Sequence, residues 1–270
     1  MLVSFRALAP LAAGLFLLAA SQPSAQTVDF MVPLEESQVV PPSGSPGSGV
    51  ALVSVDVSNG DINAVIFFSA LSAPLMSASL RGPADPGATG GSVLGIFGPF
   101  TSSGAWSGGG TISATLVNEL LNGRIYVELV SSTGPELRGQ LCLTAEVGNR
   151  SAAPNPDSYT ADPARFGTTF QATVDLTTTG HSMALLIAFD SEIDITLGGG
   201  QRLLCLGLGS PDELFTGAGL GPVAGPVAAF SWTVPNDITL CNEVFYSQAL
   251  HFGNVVPFAL SNAQDLRLGF

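Results

Sequence analysis

Carboxylates placed two apart are the residues of this chain best suited to chemistry. Asp190, Glu192 and Asp194 alternate with Ser191 and Ile193, so on an extended strand all three acids point to one side. Such hard oxygen ligands suit Ca²⁺, which takes six to eight oxygens at about 2.3–2.6 Å. Acids two apart on a strand are separated by about 6.5–7 Å along the chain, so a bend or another loop must help before an ion is held. The competing reading is a solvated strand face. Glu136 and Arg138 also share one face of a strand-like run, which predicts a structural ion pair or a clamp on a turn, built with Gly139 and Gln140. Glu128, on the preceding run, is the second carboxylate that glycosidic hydrolysis would need, but nothing in the spacing sets it opposite Glu136.

Other reactive side chains are few. His181 follows Gly180 in a turn and His251 alternates within a strand-like run, neither at ligand spacing. There is no Gly-x-Ser-x-Gly elbow and no Cys-x-x-Cys, so neither a serine triad nor a cysteine metal site is indicated. Of Cys142, Cys205 and Cys241, the predicted bridge is Cys205 with Cys241, both in the second half, with no bridge as the alternative. Cys142, between Leu141 and Leu143, reads as a small buried hydrophobe. Trp106 lies in the segment SSGAWSGGG, which predicts a polar loop. Its indole would either stack on a sugar, anchor a protein partner, or fold back to plug the end of a sandwich. Asn149-Arg150-Ser151 fits a glycosylation sequon.

These side chains need elements to hold them, and the composition says which kind. Only 11% of the 270 residues are charged and 46% are hydrophobic, with 32 Gly and 19 Pro. That suits many short strands joined by Gly/Pro turns and argues against coiled coils and charged disorder. Twenty-one acids face eight basic residues, all Arg, which disfavours nucleic acid and anionic membrane surfaces as partners. Arg6 followed by an apolar stretch from Ala7 to Ala20 has the layout of a secretory signal peptide, assigned to 1–25 with cuts after Ser21 or Ala25 as candidates. No later stretch approaches membrane length. The runs flanking Ser58-Asn59-Gly60 predict a β-hairpin with a type I′ turn. The expected division is a first β-sandwich at 28–143, a linker at 144–165 rich in Asn, Asp, Ser and Pro, and a second β-sandwich at 166–270. The fold class is therefore all-β, with Ig-like or Greek-key sandwiches.

Three segments of the first half carry a resemblance to a family. Leu34 to Pro42 (LEESQVVPP), Ala78 to Ala84 (ASLRGPA) and Arg124 to Leu141, which closes on Glu136-Leu137-Arg138-Gly139-Gln140, resemble the opening, middle and closing segments of the CHRD domain. The resemblance implies an all-β, immunoglobulin-like extracellular module. This chain departs from the family pattern at its histidines, with Ser79 and Arg81 in the middle segment and Val130-Ser131 in the closing one. A metal or proton-handling role for those histidines therefore does not transfer. In the second half, Val244 to Ala249 and Leu260 to Ala263 resemble, more weakly, a β-domain at the carboxyl end of secreted bacterial proteins.

Together these readings predict a secreted, non-enzymatic binding or structural protein, extracellular, cell-surface or periplasmic. Its partner would be an extracellular protein or glycan, and it would need no cofactor unless Ca²⁺ binds at Asp190, Glu192 and Asp194. Two alternatives stand beside it. One is a secreted hydrolase acting on polysaccharide through acids such as Glu128 and Glu136. The other is an outer-membrane β-barrel, suggested by alternating Leu266, Leu268 and Phe270 at the chain end, although spanning strands of about 9–11 residues with aromatic girdles are not evident. Long apolar strands without lysine at their edges also predict lateral association.

Overall fold

The computed structural model describes residues 26–96, 101–189, 191–205, 222–254 and 257–270. The expected signal peptide and Asp190 lie outside the described residues. The fold is all-β, and among the described residues it has one short α-helix, α1 (Ala114–Leu121).

The first half contributes eight strands: β1 (Thr27–Leu34), β2 (Ser48–Asp56), β3 (Asp61–Ser69), β4 (Leu75–Gly82), β5 (Gly91–Ile96), β6 (Gly104–Thr111), β7 (Tyr126–Ser131) and β8 (Gly134–Gln140). They form two antiparallel sheets ordered β1-β2-β3-β6 and β5-β4-β7-β8. Strict alternation assigns the faces. On β3, Ile62, Ala64, Ile66 and Phe68 are buried while Asn63 and Phe67 point out, and Phe30, Val53, Leu80, Val127 and Leu137 meet them from the other strands. Each large side chain taken fully out of water contributes about 1.5–3 kcal/mol, and this inner layer holds the two sheets together.

The predicted hairpin is present as β2 and β3, but its turn is not type I′. The connection runs over residues 57–60, closed by Gly60 N–H donating to Asp56 C=O at 2.8 Å. The Asp56 carboxylate accepts from the Ser58 N–H and hydroxyl. Of the turn residues only Gly60 has positive φ, +80°, whereas a type I′ turn needs two. The Asx interaction at Asp56 competes for the chain and wins a longer turn.

The second half begins earlier than predicted. Residues 146–150 and 159–161, read as linker, are strands β9 (Glu146–Arg150) and β10 (Tyr159–Ala161). Their polar sequence misled because most of these side chains stay exposed or half-buried, and only Val147, Tyr159 and Ala161 meet the second core. They join β11 (Thr169–Asp175), β12 (Met183–Phe189), β13 (Glu192–Thr196), β14 (Arg202–Cys205), β15 (Val223–Ala224), β16 (Val227–Thr233), β17 (Val244–Phe252) and β18 (Ala259–Arg267). The sheets are ordered β10-β11-β16 and β15-β12-β17-β18-β9, with β13-β14 a separate ribbon. Phe170, Val174, Phe230, Leu186 and Leu266 fill a second core.

These orders repeat those of the first half. β10-β11-β16 corresponds to β2-β3-β6, and β15-β12-β17-β18 to β5-β4-β7-β8, with every neighbouring pair antiparallel. A short 3₁₀ turn at Ile238–Leu240 sits where α1 does. What differs is the first strand: β1 pairs with β2, whereas β9 pairs with β18 on the opposite sheet.

Three further expectations are corrected. The sheets are open, and Leu266 and Leu268 are buried in the second core, so the terminal alternation serves an internal layer and not a lipid-facing barrel. Trp106 lies on β6, not in a loop, paired opposite Ile66 and packed on the first core. The disulfide joins Cys142 to Cys241, with Cα atoms 5.5 Å apart, and leaves Cys205 a buried free thiol. Nearness within one half misled, because β14 carries Cys205 away while Cys142, just past β8, meets the turn after β16.

Around that bridge the halves interlock. The Asn242 side chain accepts from Leu143 N–H at 2.8 Å and donates to Leu121 C=O at 3.0 Å. Phe270 packs on both cores and meets Phe166 edge-on, with ring centroids 5.4 Å apart.

Candidate functional site

The polar residues of the first half gather on the outer face of the β5-β4-β7-β8 sheet. Cross-strand pairing places Ser79 beside Glu128 and Arg138, and Arg81 beside Tyr126 and Gln140. The register between β7 and β8 shifts between Leu129↔Leu137 and Val130↔Pro135, so Glu136 is the extra residue of a β-bulge. A bulge re-aims the side chain it carries, which is why Glu136 and Arg138 do not form the predicted ion pair.

Glu136 instead clamps three loops. Its carboxylate accepts from the Ser45 hydroxyl at 2.6 Å, Ser72 N–H at 2.6 Å, Ala73 N–H at 3.2 Å and the Thr133 hydroxyl at 3.3 Å. Burial pushes its pKa up, but hydrogen bonds from Ser131, Ser45 and Ser72 outweigh that and bring it down to about 2. Four donors from neutral groups stabilise the ionised form.

Arg138 is the largest of the fully buried side chains. Its guanidinium donates to Ala88 C=O at 2.6 Å and to the Gln140 side chain at 2.7 Å, and lies 3.6 Å from the Tyr126 ring centroid. Gln140 donates onward to Gly123 C=O and Ala84 C=O, while the Tyr126 hydroxyl accepts from Gly90 N–H. Gly139 must be glycine, since a Cβ there would lie 2.5 Å from Pro33 C=O. Glu128, also buried, pairs with Arg81 at 3.2 Å. The opening segment closes the assembly: Glu35 bridges Arg138 backbone to backbone, and Gln140 N–H donates to the Gln38 side chain. Three segments far apart in sequence thus meet on one sheet face. The two histidine positions of the middle segment, Ser79 and Arg81, lie on that face.

The acids of the calcium reading are separately engaged. Glu192 pairs with Arg150 at 3.3 Å, and Asp194 takes a two-pronged contact from Arg202. No group of three or more metal-ligating side chains occurs among the described residues. Each carboxylate already has a guanidinium, which would have to be displaced by an ion. Trp106 lies over Gly108, where a Cβ would come within 2.1 Å of its ring.

Two features escaped sequence reasoning. His181 and His251 approach edge-on with centroids 6.0 Å apart, His251 between the hydroxyls of Ser158 and Thr179 at 3.3 Å each. The second half also buries a connected amide and hydroxyl layer of Tyr159, Ser247, Gln248, Ser261, Asn262 and Gln264. The adjacent polar pairs Ser247-Gln248 on β17 and Ser261-Asn262 on β18 were the available signal, since neighbours on a strand cannot both face solvent on one side.

No curated protein and no solved structure matches the chain. Residues 30–141, which hold the three converging segments but less than half of the chain, match the family model of the CHRD domain.

Proposed function

We propose that the chain is an exported, non-enzymatic protein that acts by binding an extracellular protein or glycan, or as part of a surface architecture. The observation that carries this reading is that the titratable groups of the polar sheet face are held by hydrogen bonds or an ion pair within the protein. Glu136 has four neutral donors, Glu128 has Arg81, and Arg138 has carbonyls and an aromatic face. A glycosidase needs one carboxyl that carries a proton near neutral pH, and hydrogen bonding holds Glu136 in the opposite state.

Supporting the location, CHRD domains are extracellular modules, and no helix among the described residues is long and apolar enough to cross a membrane. The Cys142–Cys241 bridge also fits an oxidising compartment.

Expression of the full chain in a secreting host tests the reading. Protein outside the cytoplasm, with Cys142 and Cys241 oxidised and no release of sugar ends from a panel of polysaccharides, is the expected result. Hydrolysis that disappears in Glu128→Gln would overturn it.

A further inference from the structure

Glu136 sits at the foot of a cleft of about 410 Å³ whose walls include Val40, Pro41, Pro42 and Pro135. Glu136 is buried, only 2% exposed, and the hydrogen bonds its carboxylate accepts come from neutral groups. The ion pairs of the described residues leave Glu136 without a cation: Arg81, Arg124, Arg150, Arg202 and Arg267 are paired with other acids. Arg138, next but one in sequence, gives its guanidinium to Ala88 C=O and Gln140. The sequence has no lysine to offer.

We propose that this cleft receives a basic side chain, lysine or arginine, from a partner polypeptide, with its head group directed toward Glu136. The walls match the other half of such a side chain, because lysine and arginine bury aliphatic stems along apolar surface while the charge seeks a polar end. Val40, Pro41, Pro42 and Pro135 supply that surface on rigid backbone, so little ordering is required on binding. A space of this size lies within the range of about 300–1,000 Å³ seen for ligand sites, larger than one ammonium ion requires. The net charge of −13 draws a basic partner toward the molecule from a distance. The assignment rests on the binding reading above and names the chemistry of its partner.

The test titrates the isotope-labelled mature chain with acetyl-Gly-Lys-Gly-amide, its arginine and norleucine counterparts, and butylammonium, reading backbone amide shifts. Saturable shifts confined to residues 39–45, 72–73 and 133–136 are expected for the lysine and arginine peptides, with norleucine at least tenfold weaker. Val40→Trp fills the cleft and leaves every donor to the carboxylate in place, and it should weaken binding at least tenfold. Shifts that survive Val40→Trp, or that scatter over the acidic surface, would overturn the assignment. Butylammonium binding as tightly as the peptides would also overturn it, in favour of a small amine ligand. A null titration removes the cleft assignment alone, whereas hydrolysis of glycans by the same sample would remove the binding reading itself.

Discussion

Glu136 and His251 divide the acid sensitivity of the molecule between two pH windows. Glu136 is held at about 2 against an ordinary 4.5. Because its folded pKa is depressed, its stabilisation is present above about 4.5 and is lost as pH falls toward 2, about 3 kcal/mol in all. His251 is buried, and desolvation, with His181 beside it and against the opposing pull of Asp175, lowers it from 6.5 to about 4. The folded state therefore keeps it neutral, and stability drains as pH falls from about 6.5 to 4, again by roughly 3 kcal/mol. Urea unfolding followed between pH 7.5 and 3 should show both slopes. Glu136→Gln should remove the lower one and His251→Gln the upper, and a single unchanged slope in either variant would refute its assignment. Cys205 gives a third expectation: burial pushes its thiol up to about 12, so a thiol reagent should label nothing in the native chain and one sulfur in denaturant.

At the scale of elements, β6 shows how a glycine run can build an edge strand. Gly108, Gly109 and Gly110 offer no side chain to pack, yet the strand pairs with β3 along its length. The Trp106 indole covers the vacant Cβ space of Gly108 and packs against the first core. Gly108→Ala should therefore cost about 1–3 kcal/mol by overpacking. The same change in a Trp106→Ala background should be nearly neutral. A double-mutant cycle by chemical denaturation measures the coupling, and strictly additive losses would show that the ring does not rest there.

At the scale of the molecule, one covalent bond and a few side chains tie together two halves of like topology. Cys142 and Cys241 are 99 residues apart, and closing so long a loop in the unfolded chain removes about 4–5 kcal/mol of conformational freedom. The double variant Cys142→Ala, Cys241→Ala should lose stability of that order while keeping the strand content in circular dichroism. A loss below about 1 kcal/mol would place the stability of the junction in Asn242 and Phe270 instead.

The sequence by itself determined the all-β class, the alternation of β3 and the hairpin after Asp56, because these follow from periods of two and local turn chemistry; the three CHRD-like segments were legible as a motif resemblance, not from periodicity. What only the tertiary structure decided were facts of long range. The bulge that parts Glu136 from Arg138 depends on a neighbouring strand. The disulfide depends on where two halves meet, and the strands hidden at 146–150 and 159–161 depend on pairing with β18 and β11, which their own polar sequences do not announce. Hydrophobic alternation reports which way a residue faces; it carries no information about which distant polar group will be waiting there.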